Sequence, residues 1–324
     1  MRVLSLLVFP AKKIAVCLFV LLSGSSLAAA DSNETIAAPY MVVLGISQDG
    51  GTPQAGTREH PGWADNKFRR RVVSLALVDP VSQERWLFEA TPDFREQLHR
   101  LDQFAPATDK PGIAGIFLTH AHIGHYTGLM FLGHESMGAN KVPVFAMPRM
   151  QEFLSSNGPW SQLVKYQNIV IQGLEDRKII RLNNRLRVTP FLVPHRPEFS
   201  EVVGFRVEGP NRSAIFIPDI DSWEEWEDAG TRIEDMIASV DVAYLDGSFF
   251  ANGEIPGRDM SGFPHPFISH SMQRFSDLPA KEKSKIRFIH LNHTNPAIWP
   301  DSDERAQVLA NGFRIANEGE IFEL

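Results

Sequence analysis

The chain has 324 residues, of which 43% are hydrophobic and 22% charged, and this composition is that of a folded globular protein. Its formal net charge is −7, so we do not expect a nucleic-acid backbone as a partner. A single cysteine, Cys17, excludes a disulfide within the chain.

The first thirty residues have the pattern of a secretory signal peptide. Arg2, Lys12 and Lys13 precede the apolar run 14–22, and three alanines at 28–30 precede Asp31. A basic region, a short apolar core and small residues at a cleavage site are typical of such peptides. The core is shorter than a typical membrane span, although an uncleaved membrane anchor is the alternative.

We therefore expect residues 1–30 to be removed and residues 31–324 to form a single periplasmic or secreted domain without membrane attachment. Cleavage would remove three positive charges and no acids, leaving a net charge of roughly −10. Because Cys17 leaves with the peptide, the mature chain would have no thiolate ligand or nucleophile.

Strands and helices alternate in groups along the rest of the chain. Apolar alternation and turn residues predict strands at 40–46, 72–78, 86–89, 142–146, 186–192, 202–207, 214–217, 240–245 and 286–289. Helical spacing predicts helices at 92–101, 222–229, 232–239 and 302–310, and a closing hairpin is predicted within 313–322. Such grouping favours one α+β or α/β sandwich over two separate domains.

A histidine-rich motif follows the apolar stretch 113–118. Residues 119–129 read THAHIGHYTGL, which places His120, His122 and His125 within six positions. Neutral imidazole is a common ligand of zinc-like cations. In an extended segment His120 and His122 point to the same side, and His125 follows at the start of a turn or helix. The motif predicts a metal site, and the alternative is a polar loop with chance histidines.

This strand–HxHxxH–helix pattern, with single histidines and an aspartate at later strand ends, resembles the metallo-β-lactamase superfamily. Within that superfamily the chain looks closest to the pyrroloquinoline quinone biosynthesis protein B branch. The segments that carry the resemblance are LGISQDGGTPQ (44–54), FEATPDFREQL (88–98), LDGSFF (245–250), RDMSGFPHPF (258–267) and IHLNHTNP (289–296). The resemblance implies an αββα sandwich of the α+β class, with one or two metals at one edge of its paired sheets.

The resemblance also implies a set of metal ligands. The first metal would be held by His120, His122, His195 and Asp219, and a second by Asp219, His125 and His290. The superfamily's aspartate before the third motif histidine is replaced here by Gly124. We therefore expect one Zn²⁺ and allow a second of weaker affinity, with Fe²⁺ or Mn²⁺ as alternatives.

Several further residues have two interpretations each. His293 could add a ligand or be a hydrogen-bonded loop histidine. Asp221 could replace the lost carboxylate or cap the following helix. Asp246, at a strand end, is a candidate for orienting a ligand imidazole. Asp49 lies in a glycine-rich loop that lacks the Lys-Ser/Thr of a phosphate cradle.

A centre of this kind implies metal-assisted hydrolysis of an ester, lactone, amide or phosphodiester bond in a small-molecule substrate. Asp219 would orient the attacking water or take its proton, and His265 would protonate the leaving group or serve only in packing. The alternatives are an iron-dependent oxygenase-type enzyme and a non-catalytic metal- or ligand-binding protein. Loop 54–62 lacks the zinc-binding cysteines typical of the quinone-biosynthesis branch, which argues against strict equivalence of function with that branch. The sequence carries no signal for a particular oligomeric state.

Overall fold

Two seven-stranded sheets pack against each other in the computed structural model, which describes residues 38–107 and 109–324. The predicted signal peptide lies outside the described residues. The first sheet has the order β14–β1–β2–β3–β4–β5–β6, with β1 Tyr40–Gly45, β2 Ser74–Asp79, β3 Glu84–Phe88, β4 Gly115–Phe117, β5 Val142–Ala146, β6 Ile169–Gly173 and β14 Ile321–Glu323. The second has the order β13–β12–β11–β10–β9–β8–β7, with β7 Ile180–Arg181, β8 Arg187–Leu192, β9 Val203–Glu208, β10 Ser213–Ile217, β11 Val242–Asp246, β12 Ile286–Ile289 and β13 Arg314–Ile315.

Helices cover the outer face of each sheet. They are α1 Phe94–Phe104, α2 Ile123–Tyr126, α3 Pro148–Ser156, α4 Trp160–Lys165, α5 Trp223–Asp228, α6 Ile233–Ala238, α7 Ile268–Arg274, α8 Ala280–Lys283 and α9 Asp303–Ala310. Apolar residues of α1, α3 and α4 pack on the first sheet, and those of α5, α6 and α7 belong to the core of the second. This arrangement confirms the predicted αββα sandwich of the α+β class.

The side chains of β1 show why the strand sequences are apolar without interruption. Met41 and Val43 belong to the core shared by the two sheets, whereas Val42 and Leu44 belong to the core beneath the helices. Successive strand residues point to opposite faces, and both faces of this strand are covered. A strand buried on both faces therefore has an almost continuous apolar sequence.

Each sheet contains a set of neighbouring parallel strands. Strands β3 to β6 are parallel neighbours in the first sheet, and strands β10 to β13 are parallel neighbours in the second. The carboxyl ends of parallel strands lie at one edge of a sheet, where ligands bind in open α/β sheets. Loops that leave these ends can therefore contribute side chains to one place.

The predicted closing hairpin within 313–322 is wrong. Strand β13 pairs in parallel with β12 in the second sheet, and β14 pairs antiparallel with β1 in the first. The alternation of apolar residues identified two strands, but it carries no information about which partners accept their backbone hydrogen bonds. Strands β6 and β7 and helices α3, α4, α7 and α8 were not predicted.

Helix lengths also bear on membrane association. Within residues 38–107 and 109–324, no helix has the length and apolar content required to cross a membrane.

Phenylalanines join the two sheets directly beneath the histidine motif. The ring of Phe117 stacks on Phe145 at 4.3 Å between centroids and on Phe88 at 5.2 Å, and it meets Phe205 of the second sheet at 5.5 Å. We expect Phe117→Ala to lower the free energy of unfolding by ~3–5 kcal/mol, because the buried ring leaves a cavity. Urea denaturation would measure this change.

The matched control for this prediction is Val81→Ala. Val81 is 69% exposed, so its truncation should change the free energy of unfolding by less than about 0.5 kcal/mol. Equal effects of the two substitutions would contradict the assignment of Phe117 to the inter-sheet core.

Candidate metal centre

Histidines and aspartates from both sheets meet at the carboxyl-terminal strand edge. His120 and His122 follow β4, His125 lies in α2, His195 follows β8, Asp219 follows β10 and His290 follows β12. The structure thus brings together all six residues predicted as metal ligands. Their nitrogen and oxygen atoms form overlapping groups within 4.8 Å of one another. Their role as metal ligands remains a prediction.

The first group consists of three imidazoles. Nδ1 of His122 lies 2.8 Å from Nε2 of His120 and 3.3 Å from Nε2 of His195. Oδ1 of Asp219 lies 3.7 Å from Nε2 of His195. Tetrahedral zinc with ligands at 2.0–2.1 Å sets its ligand atoms about 3.3 Å apart, so this group has the size of a zinc site.

The second group lies on the other side of Asp219. Its Oδ2 is 3.1 Å from Nε2 of His125 and 3.3 Å from Nε2 of His290. Oδ1 of Asp49, a residue that was not predicted as a ligand, lies 3.1 Å and 3.4 Å from the same two nitrogens. The two oxygens of Asp219 therefore face different groups, which is the placement of a bridging carboxylate.

Each of the five imidazoles has a polar partner on the nitrogen that points away from the cluster. These partners are Thr119 Oγ1 for His120, Glu198 Oε2 for His122, Glu89 Oε1 for His125, Asp221 Oδ1 for His195 and Ser248 Oγ for His290. Four of the separations are 2.7–3.0 Å, whereas the Glu89 pair is an ion-pair contact at 3.5 Å without a hydrogen bond. Such outer partners orient metal-binding imidazoles and select their tautomers.

Burial and charge set the protonation of the cluster. Burial lowers the pKa of His120 well below its usual value, so its ring is neutral. Burial raises the pKa of Asp219, but His290 and His125 outweigh it and hold that pKa well below its usual value. Burial lowers the pKa of His125, yet Asp219 and Glu89 raise it well above its usual value. A cation that binds His125 would therefore displace a proton.

An orphaned oxygen supports a cation at this place. Asp219 is 3% exposed. Among the described residues its Oδ2 has no hydrogen-bond partner, although Nε2 of His125 lies 3.1 Å away. This oxygen is paired by charge with His125 and His290 but accepts no hydrogen bond from either ring, and a buried charge of this kind fits a shared cation. The donor set of imidazoles and carboxylates also fits a zinc-like or ferrous ion.

Two residues of the site have unusual backbones. His290 has φ +65° and the buried Glu89 has φ +77°, in the left-handed region that few residues other than glycine adopt. The adjoining amide of Leu291 donates to the carbonyl of Ile46, and Gly247 donates to the carbonyl of Ile289. Backbone strain of this kind is found where a site must place a side chain against local preference.

The structure corrects both interpretations of Asp221. This residue neither replaces the lost carboxylate nor caps helix α5. Its Oδ1 accepts a hydrogen bond from Nδ1 of His195, and Ser222 caps the helix by accepting from Glu224 N. The ring of His195 turns toward this carboxylate because both residues follow strands that end at the same edge.

The remaining candidates lie at different distances from the cluster. Nδ1 of His265 donates to Oδ2 of Asp246 at 2.8 Å and lies 3.9 Å from Oδ1 of Asp219. Asp246 and His265 also form a group of possible ligand atoms with Asp219 and His290. The hydroxyl of Ser248 donates to Asp246 and contacts Nδ1 of His290. His293 belongs to none of the metal-ligand groups found among the described residues.

The loop without cysteines is held by other contacts. Nε1 of Trp63 donates to the carbonyl of Thr57 at 2.6 Å, and Nδ1 of His60 accepts from Gly62 N at 3.0 Å. The imidazole of His60 packs on Trp299 with ring centroids 5.7 Å apart. Hydrogen bonds and aromatic packing thus order this loop without a thiolate-bound metal.

The family model described as beta-lactamase superfamily domain matches residues 84–291. The chain belongs to this superfamily. The matched segment contains the five clustered histidines and Asp219, and it begins after Asp49.

Coenzyme PQQ synthesis protein B is among the chain's relatives. One such protein of Methylorubrum extorquens is 25% identical over 316 residues, which cover 88% of this chain and all of the relative. That of Pseudomonas entomophila is 26% identical over 317 residues, with the same coverage. These values confirm the predicted resemblance to this branch.

Solved structures show the same fold. Zinc-bound PqqB from Methylobacterium extorquens has a TM-score of 0.72 at 24% identity and covers 88% of this chain and 100% of its own. A diphosphatase from the PhnP family has a TM-score of 0.62 at 22% identity, covering 88% and 97% of the two chains.

Several residues around the cluster were not predicted, among them Glu89, Glu198 and Ser248. Glu89 follows β3 and Ser248 follows β11, so their positions after strand ends were a usable signal. Asp49 is four residues beyond β1 in a glycine-rich loop. The sequence showed that this loop lacks the Lys-Ser/Thr of a phosphate cradle, but it gave no signal that the carboxylate of Asp49 faces the cluster.

We expect His122→Ala to weaken binding of the first metal equivalent by at least about tenfold, because even outer-sphere partners contribute 10–100-fold. Isothermal titration of the metal-stripped chain with Zn²⁺ would measure this change. His134→Ala is the matched control, since His134 is exposed and lies outside the cluster. Unchanged zinc affinity in His122→Ala would contradict the predicted site.

Proposed function

We propose that this chain is an exported metal-dependent hydrolase that cleaves an ester, lactone, amide or phosphodiester bond in a small molecule. The observation that carries the proposal is the placement of Asp219 between two groups of imidazoles. Its Oδ2 lies 3.1 Å from Nε2 of His125 and 3.3 Å from Nε2 of His290, and its Oδ1 lies 3.7 Å from Nε2 of His195. A divalent cation bound there supplies Lewis acidity, which lowers the pKa of water to about 7. Proteins of similar fold include a diphosphatase from the PhnP family and a tRNase Z, which are consistent with this reaction class.

Asp219 and His265 are the residues to which we assign catalytic roles. Asp219 is ionised, so its carboxylate can orient an attacking water by accepting a hydrogen bond from it. Asp246 holds Nδ1 of His265 at 2.8 Å and so fixes the ring beside Asp219. From this position His265 can protonate the leaving group, whose departure without a proton would be unfavourable.

Substrate would approach the cluster from the side that is partly exposed to solvent. Among the site residues, His120, His125 and His290 are almost completely buried, whereas the side chain of His122 is 15% exposed and that of Asp49 is 30% exposed. Glu198, beside His122, is more exposed still. A substrate therefore reaches the centre between the His122 and Asp49 edges.

The hydrolase proposal predicts metal-dependent turnover. The stripped chain should show no hydrolysis of chromogenic esters, lactones, phosphodiesters or β-lactams until zinc, manganese or iron is added. His122→Ala should lower the restored rate by at least about 100-fold, which equals roughly 3 kcal/mol of transition-state stabilisation. Hydrolysis by the metal-free protein would refute the proposal, and His134→Ala should retain the full rate.

A second candidate is an oxygen-dependent enzyme related to pyrroloquinoline quinone synthesis. The similarity to PQQ synthesis protein B along most of both chains favours it, and imidazole–carboxylate sites also suit ferrous iron. The metal content of protein purified without added metal, together with oxygen uptake, separates the two. Iron with substrate-dependent oxygen uptake would favour this candidate, and zinc with hydrolysis would favour the first.

Export is the part of the proposal that rests on residues 1–30. We expect the mature chain to begin at Asp31, because the alanines at 28–30 provide a signal-peptidase site. Intact-mass measurement of the protein from periplasmic and membrane fractions would test this. A chain that keeps its first thirty residues and stays with the membrane would instead be an anchored protein.

A further inference from the structure

We propose that Asp49 supplies the carboxylate of a second cation site, together with His125, His290 and Asp219, and that Gly124 is the residue that makes room for it. This inference rests on the proposed metal-dependent function. It replaces the expectation that the loss of an aspartate at position 124 leaves the second site weak. In this chain Asp49 would supply the carboxylate that the superfamily's aspartate at position 124 supplies.

Distances define the proposed site. Oδ1 of Asp49 and Oδ2 of Asp219 each lie 3.1 Å from Nε2 of His125, and they lie 3.4 Å and 3.3 Å from Nε2 of His290. All four separations match the spacing of about 3.3 Å between ligands of a tetrahedral zinc ion. Asp49 adds a negative charge at the second site, because the charge of Asp219 is shared with the first group.

The backbone at position 124 shows that the two carboxylates are alternatives. A Cβ placed on Gly124 would lie 2.5 Å from Cα of Asp49, 2.5 Å from its Oδ1 and 2.7 Å from its Cγ. These separations are far below contact distance, and one of the atoms is backbone, which cannot rotate away. Any larger residue at position 124 would therefore displace Asp49, and an aspartate there would need the space that Asp49 occupies.

The loop of Asp49 is attached to the rest of the site by its backbone. Gln48 N donates to the carbonyl of Leu291 at 2.9 Å, and Leu291 N donates to the carbonyl of Ile46 at 2.8 Å. The side-chain amide of Asn292 also donates to Oε1 of Gln48. These bonds join the first sheet to the second next to His290, so the position of Asp49 relative to His290 is set by paired backbone.

The other residues that could have replaced the missing aspartate are placed elsewhere. Asp221 is engaged with Nδ1 of His195, on the outer side of the first group. His293 is absent from the metal-ligand groups of the described residues. Asp49 is the carboxylate that contacts both second-group imidazoles in addition to Asp219.

The test measures metal stoichiometry and affinity, and it needs no substrate. The full chain is stripped with chelator, titrated with Zn²⁺ by calorimetry, desalted and analysed by elemental mass spectrometry. We expect two equivalents in the unaltered chain. In Asp49→Asn the second equivalent should bind at least about tenfold more weakly and be lost on desalting, because one charged ligand is removed.

A second variant tests the space at position 124 without removing a ligand. In Gly124→Ala the carboxylate of Asp49 is kept, but the added Cβ would lie 2.5 Å from Cα and Oδ1 of Asp49. We expect the second equivalent to bind at least about tenfold more weakly in this variant, while the first equivalent is retained. Glu59→Gln, which changes an exposed carboxylate on the following loop, is the control and should retain two equivalents. Circular dichroism and thermal melting would verify that each variant is folded.

The outcomes distinguish this inference from the proposed function. Two equivalents in both the unaltered chain and Asp49→Asn would overturn the role of Asp49 and leave the metal-dependent function intact. A single equivalent that Asp49→Asn does not weaken would do the same. No metal bound by the unaltered chain would overturn both, and a second equivalent of unchanged affinity in Gly124→Ala would overturn the role assigned to Gly124.

Discussion

The carboxylate of Asp219 is the feature around which the site is arranged. It is buried between two groups of imidazoles, and each of its oxygens faces one group. Removing a carboxylate from water costs several kcal/mol unless compensating charge is close by. Here the compensation comes from side chains of both sheets, so the charge of Asp219 links the stability of the sandwich edge to the chemistry of the site.

The outer partners of the imidazoles extend this arrangement into the scaffold. Glu89 follows β3, Asp221 follows β10 and Ser248 follows β11. These three partners are attached to strands of packed sheets, whereas Glu198 lies in the loop between β8 and β9. Rigid supports of this kind hold ligand atoms within the narrow tolerances that metal sites require. The inter-sheet phenylalanine cluster beneath β4 gives the histidine motif a packed base.

The local pattern of apolar and polar residues predicted much of the fold. Strand positions came from apolar runs and helix positions from helical spacing, and the order of strands and helices indicated a sandwich. The pairing of β13 and β14 was wrong because alternation identifies a strand without naming its neighbour. Short helices such as α4 and α8 were missed because their few turns carry little periodic signal.

The sequence by itself determined the histidine motif at 119–125 and the apolar strands that bring it to a sheet edge, since spacing and periodicity are local properties. The resemblance to a known family then supplied His195, Asp219 and His290. Only the tertiary structure decided that Asp221 serves His195 and that Asp49 faces His125 and His290. Asp49 and Gly124 are separated by more than seventy residues, and only the packing of the β1 loop against α2 reveals that one occupies the space of the other.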